Sequence, residues 1–255
     1  MTASTIPGAE PWSHVGQGTA GALVLHGFTG NPSSMRSVAE ALAGAGFHVE
    51  LPQLPGHGTA VEDMMPTRWA DWAGEVEAAY QRLDARTDKM VVVGLSMGGS
   101  LALYVGNQHP EVSGLVCINP AAQPQPTEVI EMLQGIVDSG TEAMPAIGSD
   151  IADPDAHETA YEATPVRALI SLMVDGLAPL ATQYPSMHIP LLLMNSPQDH
   201  VVDPVQGDYL ADQYGGEVRR VSLDRSFHVA TQDYDKDLIV EQTVAFAHQC
   251  TEQTS

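Results

Sequence analysis

The sequence predicts an α/β fold in which helices flank a mostly parallel central β-sheet. Short apolar runs alternate with longer amphipathic stretches, which is the pattern of strands separated by helices. The short runs are continuously apolar and rich in β-branched residues, as are strands covered on both faces. The length of 255 residues suits one α/β domain with an insertion better than two separate domains.

Each predicted strand is a short run bounded by turn residues or by a helical pattern. The strands cover residues 22–25, 47–51, 90–94, 114–118, 191–195 and 218–223. The predicted core helices have apolar residues at three- and four-residue spacing, which turns one apolar face toward the sheet. They cover residues 33–45, 68–86, 98–109, 205–214 and 234–248. We therefore predict a core domain formed by residues 1–120 and 190–255.

The regular alternation stops after Asn119-Pro120 and resumes at Ile189-Pro190. The intervening residues are rich in Pro, Gly, Met and Asp, but the parts at 128–137 and 166–181 keep a helical periodicity. We therefore predict that residues 121–189 form a small helical cap, or lid, inserted between two core strands above the carboxyl edge of the sheet.

The formal net charge of -22 arises from 32 acidic residues and only 10 basic ones. Such a field repels nucleic acid and anionic membrane surfaces, so we expect a neutral small-molecule substrate and no nucleic-acid partner. We expect no stable membrane anchor, because no apolar run in the sequence reaches membrane-spanning length. Cys117 and Cys250 do not make a disulfide framework, so we expect a reduced, cytoplasmic protein.

A serine flanked by glycines follows the third predicted strand. The motif is Gly94-Leu-Ser96-Met-Gly98, and it opens the apolar helix predicted at 98–109. In a nucleophile elbow, a tight turn between strand and helix lifts the serine hydroxyl clear of the backbone, and its neighbours must be small. The alternative is a serine that only caps a helix after a glycine turn. The strand before the motif and the helix after it favour the nucleophile.

A serine nucleophile needs a base within hydrogen-bond reach and a carboxylate that orients the base. Asp199 lies in the loop after the fifth predicted strand and His228 in the loop after the last one, so both are expected at the carboxyl edge of the sheet. Asp203 competes with Asp199, but it precedes Pro204 at a predicted helix start and better fits a capping role. We therefore predict Ser96 as nucleophile, His228 as base and Asp199 as the orienting acid.

Acyl transfer also needs N–H donors for the oxygen that becomes negative in the tetrahedral intermediate. One donor is expected to be the backbone N–H of Met97, directly after the nucleophile. The other is expected from the loop after the first predicted strand, Leu25-His-Gly-Phe-Thr-Gly30, and we assign it to Phe28. The alternative for this loop is an ordinary strand-to-helix turn.

These motifs resemble the α/β-hydrolase superfamily over nearly the whole chain. A closer resemblance is to bacterial monoacylglycerol lipases and neighbouring carboxylesterases. It rests on His26-Gly-Phe-Thr-Gly30, Gly94-Leu-Ser-Met-Gly-Gly99, Asp199-His-Val-Val202, Ser226-Phe-His-Val-Ala-Thr231 and Asp233-Tyr-Asp235. The resemblance implies the α/β-hydrolase fold and the hydrolysis of carboxylic esters, in particular of monoacylglycerols to glycerol and a free fatty acid.

The predicted cap resembles the cap of those lipases through Ile147-Gly-Ser-Asp150 and the residues around Glu158. In the lipases a glutamate holds the glycerol hydroxyls, and the resemblance gives Glu158 this role, because a carboxylate can accept hydrogen bonds from two neighbouring hydroxyls. It also places Ile147 near the glyceryl group. Asp153 departs from the family pattern, which carries Asn there. Without the resemblance, Glu158 fits a solvated acidic residue.

Apolar residues of the predicted cap are candidates for the wall of an acyl tunnel, although core packing accounts for most of them. They are Leu133, Ile136, Leu169, Ile170 and Met173. We expect no metal and no cofactor, because the sequence has no metal-ligand spacing and no phosphate loop. Three alternatives stay open: a general carboxylesterase acting on short- to medium-chain esters, a carbon–carbon bond hydrolase or cofactor-free oxidoreductase, and a non-catalytic ligand receptor with the same fold.

Overall fold

A central β-sheet carries the fold. The structure, a computed structural model, describes residues 4–252. Within this range the strands, in chain order, are β1 (Trp12–His14), β2 (Ala20–Leu25), β3 (His48–Leu51), β4 (Lys89–Leu95), β5 (Gly114–Ile118), β6 (Ala143–Pro145), β7 (Ala163–Pro165), β8 (Leu191–Asn195) and β9 (Val218–Ser222). The central sheet has the order β1-β3-β2-β4-β5-β8-β9 and is parallel except between β1 and β3. The prediction of a mostly parallel α/β sheet is confirmed.

Helices cover both faces of this sheet. Between residues 4 and 252 they are α1 (Arg36–Gly44), α2 (Val61–Met64), α3 (Trp69–Asp84), α4 (Met97–Gln108), α5 (Thr127–Asp138), α6 (Val166–Ser171), α7 (Ala178–Ala181), α8 (Val205–Gln213) and α9 (Lys236–Glu252). Successive side chains of a strand point to opposite faces. Leu23 and Leu25 of β2 accordingly pack with α3 and α4, and Ala22 and Val24 pack with α1 and α9. In residues 4–252, no helix combines the length and apolar character needed to span a membrane.

The structure differs from the predicted elements where the sequence signal is short or polar. β1 and α2 were not predicted, because three or four residues are too few to establish a periodicity. The helix predicted at 33–45 begins with a 3₁₀ turn, Pro32–Met35, before α1. The Asn31 side chain accepts a hydrogen bond from the Ser33 N–H at this start and so caps it.

Residues 121–189, predicted as a cap, connect β5 to β8 and contain α5, α6, α7 and the antiparallel pair β6–β7. The paired strands are an addition to the small helical cap that the sequence predicts. The helix predicted at 166–181 is present, but its middle part, Leu172–Leu177, is π-helical. Gly176 in this part packs against the Trp69 ring of α3, and a Cβ atom at Gly176 would lie 2.6 Å from that ring. The segment is therefore closely packed onto the core.

The two edge strands of the central sheet, β1 and β9, differ in length and in charge. β1 has only three residues, Trp12–His14, and pairs antiparallel with β3. β9 carries two consecutive exposed arginines, Arg219 and Arg220. Arg219 donates a hydrogen bond to Gln242 of α9, and Arg220 forms an ion pair with Asp208 of α8 at 2.7 Å.

Candidate active site

Ser96 lies at the sharp turn between β4 and α4. Its backbone is in an unusual conformation, with φ 56° and ψ -121°, and its N–H donates to the Ile118 carbonyl of β5 at 2.9 Å. The flanking glycines are required by space, because a Cβ atom at Gly94 would collide with the Gly98 carbonyl and one at Gly98 with the Leu25 carbonyl. Such strain is typical of functional sites held by their surroundings.

His228 and Asp199 are brought together by the loops after β9 and β8. His228 Nδ1 lies 2.7 Å from Asp199 Oδ2, and both side chains are buried. Asp199 Oδ1 accepts hydrogen bonds from the N–H groups of Val201 and Val202, each at 2.8 Å, so the carboxylate is fixed. Because an ionised carboxylate only accepts, the ring donates from Nδ1 and its Nε2 atom is left for the substrate side.

Asp203, the competing carboxylate, has a local role instead. Its Oδ1 accepts a hydrogen bond from the Val205 N–H at 3.0 Å at the start of α8. This is the turn or capping role that the sequence favours for it.

A cavity with a volume of about 270 Å³ brings most of the predicted site residues together. Ser96 and His228 lie on its wall, as do Phe28, Ile147 and Glu158. Asp199 lies behind His228, and Met97 is the buried first residue of α4. Ser96 and His228, which are far apart in the sequence, therefore meet at one cavity, and Asp199 lies within hydrogen-bond distance of His228.

The loop after β2 passes directly beside Ser96. A Cβ atom at Gly27 would lie 3.2 Å from the Ser96 Cβ atom, so glycine makes this close approach easy. His26 supports the loop from below: its Nε2 accepts the Leu54 N–H at 3.2 Å, and its Nδ1–H donates to the Gly27 carbonyl at 3.0 Å. Burial lowers the pKa of His26 to about 3, so the ring is neutral at ordinary pH.

The N–H group of Met97 has no intrahelical acceptor, because this residue is the first of α4. It lies directly after Ser96, while Phe28 follows Gly27 on the opposite loop. The two predicted N–H donors thus belong to the two backbone segments that meet at the nucleophile.

Glu158 reaches the cavity from the segment between β5 and β8. Its N–H donates to Ser149 Oγ at 3.1 Å, and its Oε1 atom is so near Gly30 that a Cβ atom there would lie 3.0 Å from it. Burial raises the pKa of Glu158 to about 7, and attraction to a protonated His228 partly opposes this rise. Near neutral pH the charged and the neutral form of this carboxyl group are therefore both populated.

Two of the apolar residues that the sequence offers for an acyl tunnel contribute to the cavity wall. Of the five apolar candidates, Leu169 and Met173 line the cavity. Leu133 is instead buried in a separate cluster with Val137 and Val166, and Ile136 and Ile170 pack against that cluster. These three residues are not part of the cavity wall, whereas Leu169 and Met173 line the cavity and also pack against that cluster.

Sequence reasoning did not single out Asn119, which holds the loop of His228. Its Nδ2 donates to the His228 carbonyl at 2.8 Å, and its Oδ1 accepts the Ser196 N–H at 2.7 Å. Asn119 directly follows β5 with φ 43°. Its place after a predicted strand at the carboxyl edge was the available signal. Asp150, which also contacts the backbone of His228, had no signal beyond the cap motif.

Comparisons with known proteins show which families and structures the chain resembles. Residues 18–235 match the model of the family described as Serine aminopeptidase, S33. A thermostable monoacylglycerol lipase from Bacillus sp. (strain H-257) is 40% identical over 244 residues, which are 94% of this chain and 95% of that protein. A carboxylesterase from Bacillus subtilis (strain 168) is 25% identical over 239 residues, 93% of this chain and 95% of that protein.

A solved structure from a study of two metagenome-derived lipolytic enzymes, LipS and LipT, superposes with a TM-score of 0.90 at 39% identity. The match covers 96% of this chain and 100% of the other. The fold, the family and the esterase relatives thus point the same way. The chain belongs to the family described as Serine aminopeptidase, S33, and is a carboxylic ester hydrolase of the α/β-hydrolase fold, related to monoacylglycerol lipases and carboxylesterases.

Proposed function

We propose that the protein hydrolyses monoacylglycerols, with Ser96, His228 and Asp199 as its catalytic triad. One observation carries this proposal: Ser96, His228 and Glu158 line the same cavity, whose wall is otherwise largely apolar. A fatty ester with a small diol head group needs this combination of a nucleophile, an apolar wall and a polyol acceptor. The 40% identical relative named as a monoacylglycerol lipase supports the same substrate.

In the proposed reaction, Ser96 Oγ attacks the ester carbonyl carbon while its proton passes to His228 Nε2. The tetrahedral oxyanion accepts hydrogen bonds from the N–H groups of Phe28 and Met97. When the carbon–oxygen bond to glycerol breaks, the His228 proton moves to the leaving alkoxide. Water, deprotonated by the same ring, then attacks the acyl-enzyme and releases the fatty acid and free Ser96. Asp199 holds the ring throughout, at 2.7 Å.

Glu158 and Ile147 are proposed to bind the glyceryl group. Glu158 lines the cavity, and its pKa is about 7. Its carboxylate can accept hydrogen bonds from both hydroxyls of a vicinal diol. Ile147, which is 66% exposed, covers one side of the cavity. Leu169 and Met173 provide apolar wall for the acyl chain.

We propose that residues 121–189 act as the cap of this site and residues 1–120 and 190–255 as the catalytic core. The segment supports this because it contributes Ile147, Glu158 and Met173 to the cavity wall. We also propose a cytoplasmic location, which the two unpaired cysteines, Cys117 and Cys250, support.

The Ser96→Ala variant tests the nucleophile. We expect its release of fatty acid from a monoacylglycerol to fall by about 10⁴-fold or more, as in other serine hydrolases that lose their nucleophile. Ser186→Ala is the matched control, because Ser186 is exposed and lies outside the cavity, and it should keep full activity. Labelling by a fluorophosphonate should modify the wild type at Ser96 and leave Ser96→Ala unmodified. Normal turnover by Ser96→Ala would refute the proposed triad.

A general carboxylesterase for short- to medium-chain esters is the second candidate. The cavity favours it, because about 270 Å³ is near the lower limit for ligand pockets. Comparing kcat/KM on monoacylglycerols of increasing chain length with kcat/KM on matched methyl esters separates the two. A preference for the glyceryl esters supports the monoacylglycerol lipase, and equal rates support the general esterase.

A further inference from the structure

Asp150 is a buried carboxylate that connects the 121–189 segment to the loops of the proposed triad. It is only 8% exposed, and it follows Ile147 and Gly148, which line the cavity. Its side chain accepts hydrogen bonds from His200 and His228, which lie in the loops after β8 and β9. It thus belongs to the cap in sequence and to the triad in space.

One oxygen of this carboxylate joins the two triad loops. Asp150 Oδ2 accepts the His228 N–H at 3.0 Å and the His200 N–H at 3.1 Å. The first residue carries the imidazole base, and the second directly follows Asp199 in the chain. The other oxygen, Oδ1, lies 2.8 Å from His200 Nδ1. Hydrogen bonds to an ionised, buried acceptor are stronger than those between neutral groups, so this arrangement fixes both loops.

Further bonds extend the connection. The backbone carbonyl of Asp150 accepts the Val229 N–H at 3.0 Å, so both its side chain and its main chain hold the loop of the base. Asp233 forms a second bridge: it accepts the Ala152 N–H at 2.7 Å and the Phe227 N–H at 2.9 Å. Hydrogen bonds to Asp150 and to Asp233 therefore connect the cap loop and the base loop.

We propose that Asp150 is a positioning residue, which sets the spacing between His228 and Asp199 from the cap. This inference rests on the proposed triad. The loops after β8 and β9 are separate, and the base works only if its ring lies at a hydrogen-bond distance from Asp199 and from Ser96. A displacement of about 1 Å in such a geometry can cost about 10²-fold in rate. Asp150 acts through the backbone and need not touch the substrate.

The Asp150→Ala variant tests this role on a short synthetic ester, which does not depend on the glyceryl subsite. We expect kcat to fall about 10- to 100-fold, with KM changed less than about threefold, because positioning affects the reaction step and not the binding of a small ester. Asp150→Asn keeps one carbonyl oxygen for both backbone N–H groups, so it should retain kcat within about fivefold. Asp155→Ala, at an exposed position of the same loop, should behave as the wild type.

A second variant and a spectroscopic signal guard against a loss that comes only from unfolding. Asp150→Glu keeps the charge but displaces the oxygens by about one bond length, so kcat should again fall, by about tenfold or more. The low-field proton resonance of the His228–Asp199 hydrogen bond should shift or broaden in Asp150→Ala and Asp150→Glu, and stay unchanged in Asp150→Asn and Asp155→Ala. Circular dichroism at the assay temperature establishes that each variant is folded.

The outcomes separate this inference from the proposed triad. If a fluorophosphonate does not label wild-type Ser96, the triad itself is wrong. If Ser96 is labelled in the wild type and a folded Asp150→Ala or Asp150→Glu protein reacts at the wild-type rate, only the role of Asp150 is refuted. Equal losses of kcat in Asp150→Asn and Asp150→Ala would also refute it, because the backbone bonds would then be irrelevant.

Discussion

Burial raises the pKa of the Glu158 carboxyl group to about 7, which is close to neutral pH. The charged form accepts stronger hydrogen bonds from hydroxyl groups than the neutral form does. Its protonation therefore matters for any substrate with a diol head group. It also matters for folding, because the unfolded chain has no such burial.

We predict that Glu158→Gln raises KM for a monoacylglycerol about tenfold at pH 8, through the loss of charge-assisted bonds worth about 1.4 kcal/mol. The effect should shrink below pH 7, where the wild-type side chain is itself neutral. A methyl ester of the same acid should show no change. Glu162→Gln, at an exposed position of the same segment, is the matched control. Steady-state kinetics across pH checks this, and equal effects on both esters would contradict it.

The same group makes stability depend on pH. The folded pKa of about 7 lies above the ordinary value of 4.5, so between these values the folded protein holds a proton that the unfolded chain has lost. Glu158 therefore costs no stability below about pH 4.5, lowers the free energy of unfolding progressively as pH rises from 4.5 to 7, and has its full destabilising effect above pH 7. From pH 4.5 to 8, the free energy of unfolding of Glu158→Gln should rise relative to wild type by on the order of 3 kcal/mol. Urea unfolding at several pH values measures it.

The sequence allowed the residues with a strong local pattern to be predicted, and not those defined by distant contacts. Ser96 has glycines that the elbow requires, and Asp199 and His228 follow strands in the expected order. Glu158 was accessible only through a family resemblance, since it is one of 32 acidic residues. The contact between Asp150 and His228 spans 78 residues, so no local rule could indicate it.

The helices of the 121–189 segment differ in how tightly they bind to the core. α5 has an exposed glycine, Gly135, with open space around it. The π-helical part has Gly176 pressed against Trp69. Ser171 adds to this contact, because its Oγ accepts a hydrogen bond from the backbone N–H of Trp69 at 3.1 Å. The helix that contains the π-helical part therefore anchors the segment on the core, and α5 is packed less tightly.

Two glycine-to-alanine changes compare these helices. Gly135→Ala should stabilise the protein by about 0.5–1 kcal/mol, because alanine loses less backbone entropy and nothing obstructs it. Gly176→Ala should destabilise it by about 1–3 kcal/mol, because the new methyl group lies 2.6 Å from the Trp69 ring. Thermal unfolding measures both. A stabilising Gly176→Ala would show that the segment does not pack on α3 in this way.

Elements long enough to show a period were predicted, and short or irregular ones were not. The six predicted strands correspond to β2, β3, β4, β5, β8 and β9 of the central sheet. β1, β6 and β7 have three residues each, which cannot display alternation. The π-helical part keeps the apolar spacing of an α-helix closely enough that only coordinates reveal its altered hydrogen bonding.

The whole molecule carries a formal charge of -22. Repulsion among the acidic groups opposes the compact state, and added salt screens it, since the Debye length falls from about 10 Å at 0.1 M to about 3 Å at 1 M. We predict that Tm at pH 8 rises by a few degrees between these NaCl concentrations. The rise should be smaller near pH 4.5, close to the isoelectric point. Scanning calorimetry checks this, and a Tm that falls with salt at pH 8 would contradict it.

The two outer strands of the central sheet affect how readily copies of the protein can aggregate. An open strand edge is a template on which another chain can pair and aggregate. Here one edge is only three residues long, and the other presents Arg219 and Arg220, which are held by Gln242 and Asp208. A second copy that paired with β9 would bury cations. One that paired with β1 would find almost no hydrogen-bond ladder to extend. Concentrated preparations of the folded protein should therefore resist fibril formation through these edges.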